Sequence, residues 1–200
     1  MQPVLEKLFE LYPQLFGARF LPLKLGIFQE LLAAHPDHFE RDTLKAALGL
    51  HTRSTRYLQS VAAGHKRHDL QGLPIESVAP EHVYFAVVEL FRRRQGRSSE
   101  DLRPKLRLQL MAAFEASGLT RQEYLCRIQT NDVQANTLLE EAFAERDQKL
   151  ARREALLRAF TSSGMTPDAF ADTYGVPQRD LITALHQSHV AQPLQSAGKT

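Results

Sequence analysis

Proline sets the scale of this fold. Pro13, Pro22 and Pro36 cut an otherwise helical apolar pattern into short pieces, because each removes a backbone donor and pushes the preceding residue out of the α region. Val4, Leu5, Leu8 and Leu11 recur at helical spacing up to Pro13. A second stretch, Lys24–Ala34, places Ile27, Phe28, Leu31 and Leu32 on one face and ends before Pro36. Asp42 is the expected N-cap of a helix over Thr43–Leu50 with Leu44, Ala47 and Leu48 inward. Thr52 or Ser54 caps the next helix, which turns Leu58 and Val61 inward and closes at Gly64. From Arg67 to Pro74 the helical signal stops, and the turn Asp69–Gly72 predicts a small β-hairpin. Pro80 and Glu81 then open a helix on Val83, Val87, Leu90 and Phe91 that ends in Arg92, Arg93 and Arg94. The expected class is mostly α: a compact helical domain with one small hairpin.

Gln95–Ser99 has linker composition and predicts a boundary, with one domain over 1–97 and a helical extension over 98–200. The extension repeats itself. Leu110–Thr120 and Leu156–Thr166 match at six positions with an offset of 46 residues, and Tyr124 pairs with Phe170 and Leu139 with Leu185. Each copy, about 110–139 and 156–185, reads as helix, Ser-Gly turn, helix, with the charged helix Leu138–Ala159 between them. Thr166–Leu181 also has helix-turn-helix grammar, with Ala171 at the crossing, Gly175 in the turn, and Val176 and Leu181 as anchors. That grammar supports an alternative function, a DNA-binding transcription regulator. Against it, Arg179 is followed by Asp180, and Gln129 stands where the first copy would need the glycine. A DNA reader calls for more cations there, so a small helical bundle that contacts RNA, a protein partner or another copy is the stronger expectation.

Two hundred residues, 43% apolar and 24% charged, suffice to bury a core without disulfides. The single Cys126 excludes an intramolecular disulfide and fits a reducing, cytoplasmic compartment. Acids interrupt the apolar residues of Met1–Leu11, unlike a signal peptide, and no apolar run approaches the ~20 residues that cross a bilayer. The His35/His38, His65/His68 and His186/His189 pairs lack a third ligand, so neither metal nor other cofactor is expected. Gly-rich phosphate loops, His-Glu-x-x-His and nucleophile elbows are missing from the sequence, and acids are sparse in the first half. Enzymatic chemistry is therefore not expected.

The net charge of +2 is mild, but it is unevenly placed. Between Asp42 and Asp69 the sequence holds no acid, yet it carries Lys45, Arg53, Arg56, Lys66 and Arg67, with His51, His65 and His68. A one-signed surface of this density attracts anions, and nucleic-acid phosphate leads the candidates. The start of the helix near Thr52–Ser54 aims free N–H groups and a positive dipole end outward, and the Thr52, Ser54 and Thr55 hydroxyls add donors. Arg56 offers a forked phosphate contact, Lys66 and Arg67 return from the hairpin, and Tyr57 can stack a base. Such a set suits a strand end, where bases and 2′-hydroxyls are accessible, and so points to RNA.

The blocks Leu11-Tyr12-Pro13-Gln14-Leu15-Phe16 and Pro22–Leu31 resemble the opening of the ProQ/FinO RNA-chaperone domain. The resemblance continues through Ala47–Leu58 and ends with Gly64–Gly72, so that it spans residues 8–92. It implies a domain that binds structured RNA, typically the base of a terminator-like hairpin and its single-stranded 3′ end, in regulation by small RNAs and at mRNA 3′ ends. It further implies that Lys24 lies on the RNA-facing surface, that Arg56 and Tyr57 hold 3′ nucleotides, and that Arg67 is the hairpin arginine. The sequence departs from these relatives at Gly49, His51 and Thr55, where they often carry Arg, Tyr and Trp. Arg53 returns a cation where they often have Ser. The RNA-binding set is thus Lys24, Lys45, His51, Thr52, Arg53, Ser54, Arg56, Tyr57, Lys66 and Arg67.

Overall fold

The computed structural model describes residues 2–130 and 132–191, which fall into two compact units divided between Ala142 and Phe143. Unit one opens with α1 (Gln2–Leu11) and the single turn α2 (Pro13–Phe16), where Pro13 sits harmlessly at the first helical position. The chain next runs extended through Pro22–Lys24 and turns at Gly26, whose φ of +84° suits a residue without Cβ. Helix α3 (Ile27–Ala34) therefore begins after Lys24, not at it: Lys24 donates its amide N–H to the His68 carbonyl at 2.9 Å. Helix α4 (Arg41–Thr52) starts before the expected Asp42 cap, with Glu40 as N-cap and the Thr43 hydroxyl closing onto the Glu40 carbonyl.

Ser54, one of the two expected caps, begins α5 (Thr55–Ala62) by accepting the Tyr57 N–H at 3.2 Å. The hairpin follows, β1 (Arg67–His68) antiparallel to β2 (Pro74–Glu76), with Arg67 opposite Glu76 and His68 opposite Pro74. Asp69 shapes the turn by accepting the N–H groups of Gln71 and Leu73. Pro22–Lys24 lies parallel to β1 as a third extended segment, bonded to both polar groups of His68. Inside are Leu8, Leu15, Phe16, Leu23, Ile27, Leu31, Leu44, Leu48, Tyr57 and Val61, so the core draws on every element from α1 to α5.

Helix α6 (Pro80–Gln95) packs against α5, α7 (Arg103–Ser117) and α8 (Arg121–Arg127). The division at 142/143 reflects that packing: Gln95–Ser99, where the sequence predicted the boundary, connects two helices that lie together inside unit one. Helix α9 (Val133–Ser163) contains the expected charged helix and runs from the first unit into the second. Unit two continues with α10 (Pro167–Tyr174) and α11 (Gln178–Ala191), which meet at Gly175 (φ +63°). The Arg179 guanidinium pairs with Asp180 at 3.4 Å in the first turn of α11. No helix is long and apolar enough to cross a membrane among the described residues.

Candidate nucleic-acid interface

A cleft of about 740 Å³ opens on unit one between the Ala18–Leu21 loop, the outer face of α5 and the approach to the hairpin. Arg19, Arg56 and Lys66 line it, together with His65 and His68, and its lining includes no carboxylate. All three cations are exposed. Phe20 forms part of the wall and carries the Arg56 guanidinium 5.2 Å from its ring centre, a cation–π contact that fixes the arginine without neutralising it. Gln59 and Ser60 supply neutral polar groups, and the Ser60 hydroxyl shares a proton with His65 Nδ1 at 2.9 Å. An anion entering this cleft would meet three exposed cationic donors and no opposing charge in the lining.

Of the predicted set, Arg56 and Lys66 reach the cleft. Arg19, Phe20, Gln59, His65 and His68 join them and were missing from it. A charge-run reading passes over Arg19, which stands alone among Gly17, Ala18 and Phe20. Only the loop's return past α5 brings it beside Arg56.

The other predicted residues divide by physical role. Tyr57 and His51 are corrections. The Tyr57 ring is only 7% exposed, and its hydroxyl accepts the Leu23 N–H at 3.0 Å, so it is not a free stacking surface. Burial also pushes the Tyr57 phenol up from its ordinary value. His51 is 4% exposed inside a ring of Phe16, Phe20 and Tyr57. Desolvation there lowers its pKa to about 4, so the imidazole is neutral near pH 7 and offers RNA no charge. Both follow from helical phase: residues 44, 47, 48 and 51 share the inner stripe of α4, and 57 and 61 that of α5.

Arg67 is a clamp. Its side chain is 11% exposed, with Nη1 donating to the Leu23 carbonyl at 2.8 Å, Nη2 beside His82 Nδ1 at 3.1 Å and Nε 3.9 Å from Glu76. Lys24 is half-buried, pairs with Glu30, whose carboxylate raises the lysine pKa with Asp69 and Glu76 also near, and lies outside the cleft lining. Thr52 turns its hydroxyl back to the Leu48 carbonyl, and Ser54 is spent as a cap. Lys45 and Arg53 are exposed outside the cleft lining. Gly49 leaves room beside Arg53, whose Nη2 would lie 3.3 Å from a Cβ there. Arg93 of α6 ties this junction, donating to the Arg53 carbonyl at 2.9 Å and to the Thr55 hydroxyl at 3.2 Å.

No three His, Cys, Asp or Glu side chains gather as a metal site among the described residues, and the His189 side chain of the third histidine pair lies outside them.

Two relatives match part of this chain. An RNA chaperone ProQ from Shewanella oneidensis is 39% identical over 84 residues, covering 40% of this chain and 39% of its own. The protein of the same name from Shewanella frigidimarina is 37% identical over 91 residues, 44% of this chain and 45% of its own. The matched segment thus spans less than half of either relative. A solved structure, a FinO-like RNA chaperone from Neisseria meningitidis, is 34% identical over 42% of this chain and 87% of its own, with a TM-score of 0.39. Residues 1–103 match the sequence model of the ProQ/FINO family from end to end of the helices and hairpin that build the cleft, and the chain belongs to that family.

Proposed function

We propose that unit one is the RNA-binding part of a cytoplasmic RNA chaperone that acts by binding and not by covalent chemistry. The observation that carries this reading is the acid-free cleft, in which Arg19, Arg56 and Lys66 surround an aromatic wall. Three cations set phosphates, and the Arg56 guanidinium, held over Phe20, offers a flat surface for an unpaired base. The N-terminus of α5 lies one residue from Arg56 and adds backbone N–H donors at Thr55 and Arg56. A strand end at this point meets both features at once. Lys45 and Arg53, exposed on α4 and its C-cap, extend the positive surface toward the lower stem of a hairpin. The family membership, with two relatives named as RNA chaperones, supports RNA as the ligand, and the form we propose is a structured RNA with a single-stranded 3′ end, such as a small RNA or an mRNA terminator.

The test compares the full chain on a terminator-like hairpin with a 3′ uridine tail and on the same hairpin without it. Tail-dependent binding that weakens in Arg56→Ala and Lys66→Ala is expected. Equal binding of both RNAs would leave a generic basic surface, and no binding of either would end the reading.

A further inference from the structure

The two repeats agree down to individual hydrogen bonds. In the first, the Ser117 hydroxyl donates to the Phe114 carbonyl at 2.6 Å and accepts the Leu119 N–H at 3.2 Å; in the second, Ser163 does the same to Phe160 at 2.7 Å and from Met165 at 3.2 Å. Gly118 and Gly164 both take positive φ, at +66° and +63°. Thr120 and Thr166 both cap the helix that follows. The aromatic pair Phe114–Tyr124, 5.2 Å apart and edge to face, returns as Phe160–Phe170 at 5.4 Å. Ala135 and Leu138, buried on the third helix, reappear as Leu181 and Ala184, also buried. Both copies are thus the same three-helix unit.

They differ in what covers them. The first copy lies under α6, which packs on α7 and α8, sets Tyr84 beside Tyr124 and pairs Arg92 with Asp132. Under that cover Leu106, Leu110, Phe114 and Ile128 are all buried. At the matching places of the second copy, Leu156 and Phe160 are half-buried, Arg152 is exposed, and Tyr174 is 58% exposed with its ring lying on Phe170. Leu106 and Ile128 have thus become Arg152 and Tyr174, the residue types that dominate protein-binding surfaces. Lys149, one turn before Arg152 on the same helix face, is also exposed, and neither cation has an ion pair among the described residues.

We propose that the second repeat is a docking surface for an acidic amphipathic helix of a partner protein, seated on Tyr174, Phe160 and Leu156 as α6 is seated on the first repeat. The internal copy specifies the shape of the occupant. α6 runs antiparallel to α7, since its first turns (Pro80, Val83, Val87) border Gln109–Ser117 and its end leads back to Arg103 through a short turn. A helix docked in that sense on the second copy brings its C-terminal turn to Lys149 and Arg152. Acidic residues in that turn complement the two cations, as does the negative end of its dipole. This surface involves none of the RNA-cleft residues, so its fate is independent of the RNA reading.

The test uses a fluorescent peptide of residues 80–95 carrying Arg92→Glu, Arg93→Glu and Arg94→Glu, titrated with the full chain by anisotropy. Saturable binding is expected, weakened about tenfold or more by Tyr174→Ala and by Arg152→Glu with the melting temperature unchanged. The peptide with its three arginines restored should bind less tightly. No binding, or equal binding to Tyr174→Ala, overturns the proposal, the latter because the peptide would then be competing with α6 elsewhere. A labelled oligouridine whose binding is lost in Tyr174→Ala while the peptide fails to bind would also overturn it, making the face a nucleic-acid surface.

Discussion

The Tyr57 hydroxyl accepts the amide N–H of Leu23 at 3.0 Å, across 34 positions of sequence, and Arg67 takes the carbonyl of the same residue at 2.8 Å. One residue of an extended segment is held at both polar groups by side chains from a helix and a strand. The hold fixes where Pro22–Lys24 lies against β1, and with it the end of the Ala18–Leu21 loop that carries Arg19 and Phe20 into the cleft. Two residues expected to touch RNA serve instead to shape the wall of the cleft proposed to hold it.

Tyr57→Phe should therefore act on stability first. It leaves a buried N–H unpartnered, a loss of about 1–3 kcal/mol, to be read by urea denaturation. RNA affinity should fall less than stability, because the ring and its packing remain.

Arg67→Ala and Arg56→Ala should separate cleanly. Removing Arg67 frees the Leu23 carbonyl and should lower stability by about 1–3 kcal/mol along with RNA binding; Arg67→Lys should not restore it, since a single ammonium cannot reach Leu23 and His82 in the same fork. Arg56→Ala, Lys66→Ala and Arg19→Ala should each weaken RNA binding by about 1 kcal/mol with little change in melting temperature. Full affinity in all three would remove the cleft as the site.

Salt offers a count of the phosphates held. With about five contacted, the log–log slope of affinity against salt should be about −3 to −5, and each cleft cation removed should flatten it by about 1. A slope near zero for the wild-type chain would contradict phosphate binding.

His51 makes the fold sensitive to acid. The unfolded histidine takes its proton near 6.5, whereas the buried one resists until about 4. Between those values the unfolded chain binds more protons, so stability is full above 6.5 and declines as pH falls toward 4. At ~1.4 kcal/mol per unit the decline from this residue amounts to about 3 kcal/mol. Chemical denaturation across that range should show it, and His51→Phe should flatten it. Because Phe20 packs on His51 and on Arg56, the cleft wall should loosen in the same range.

Gly17 is the tightest point behind the cleft. A Cβ at this position would lie 2.2 Å from the Pro13 carbonyl oxygen and 3.0 Å from the Phe9 ring, so the backbone itself must move. Gly17→Ala should cost about 1–3 kcal/mol of stability and weaken RNA binding by displacing Arg19 and Phe20. A fully stable variant would show that the loop yields easily.

The sequence alone determined a good deal here, for physical reasons that are local. Proline and glycine punctuation marked the hairpin and most helix positions, because each acts on its own few dihedrals. The inward stripe of Leu44, Ala47 and Leu48 followed from a period of 3.6, and the duplication at an offset of 46 needed only matching letters. The stretch free of acids pointed to an anion because charge adds up irrespective of fold. Tertiary structure decided which of those charges face a common space. Helical phase carried His51 and Tyr57 inward, a contact across 44 positions turned Arg67 into a clamp, and the loop's path brought an isolated Arg19 beside Arg56. It also decided which repeat would lie under α6, because burial depends on what arrives from elsewhere in the chain, and nothing within 46 residues of sequence records that.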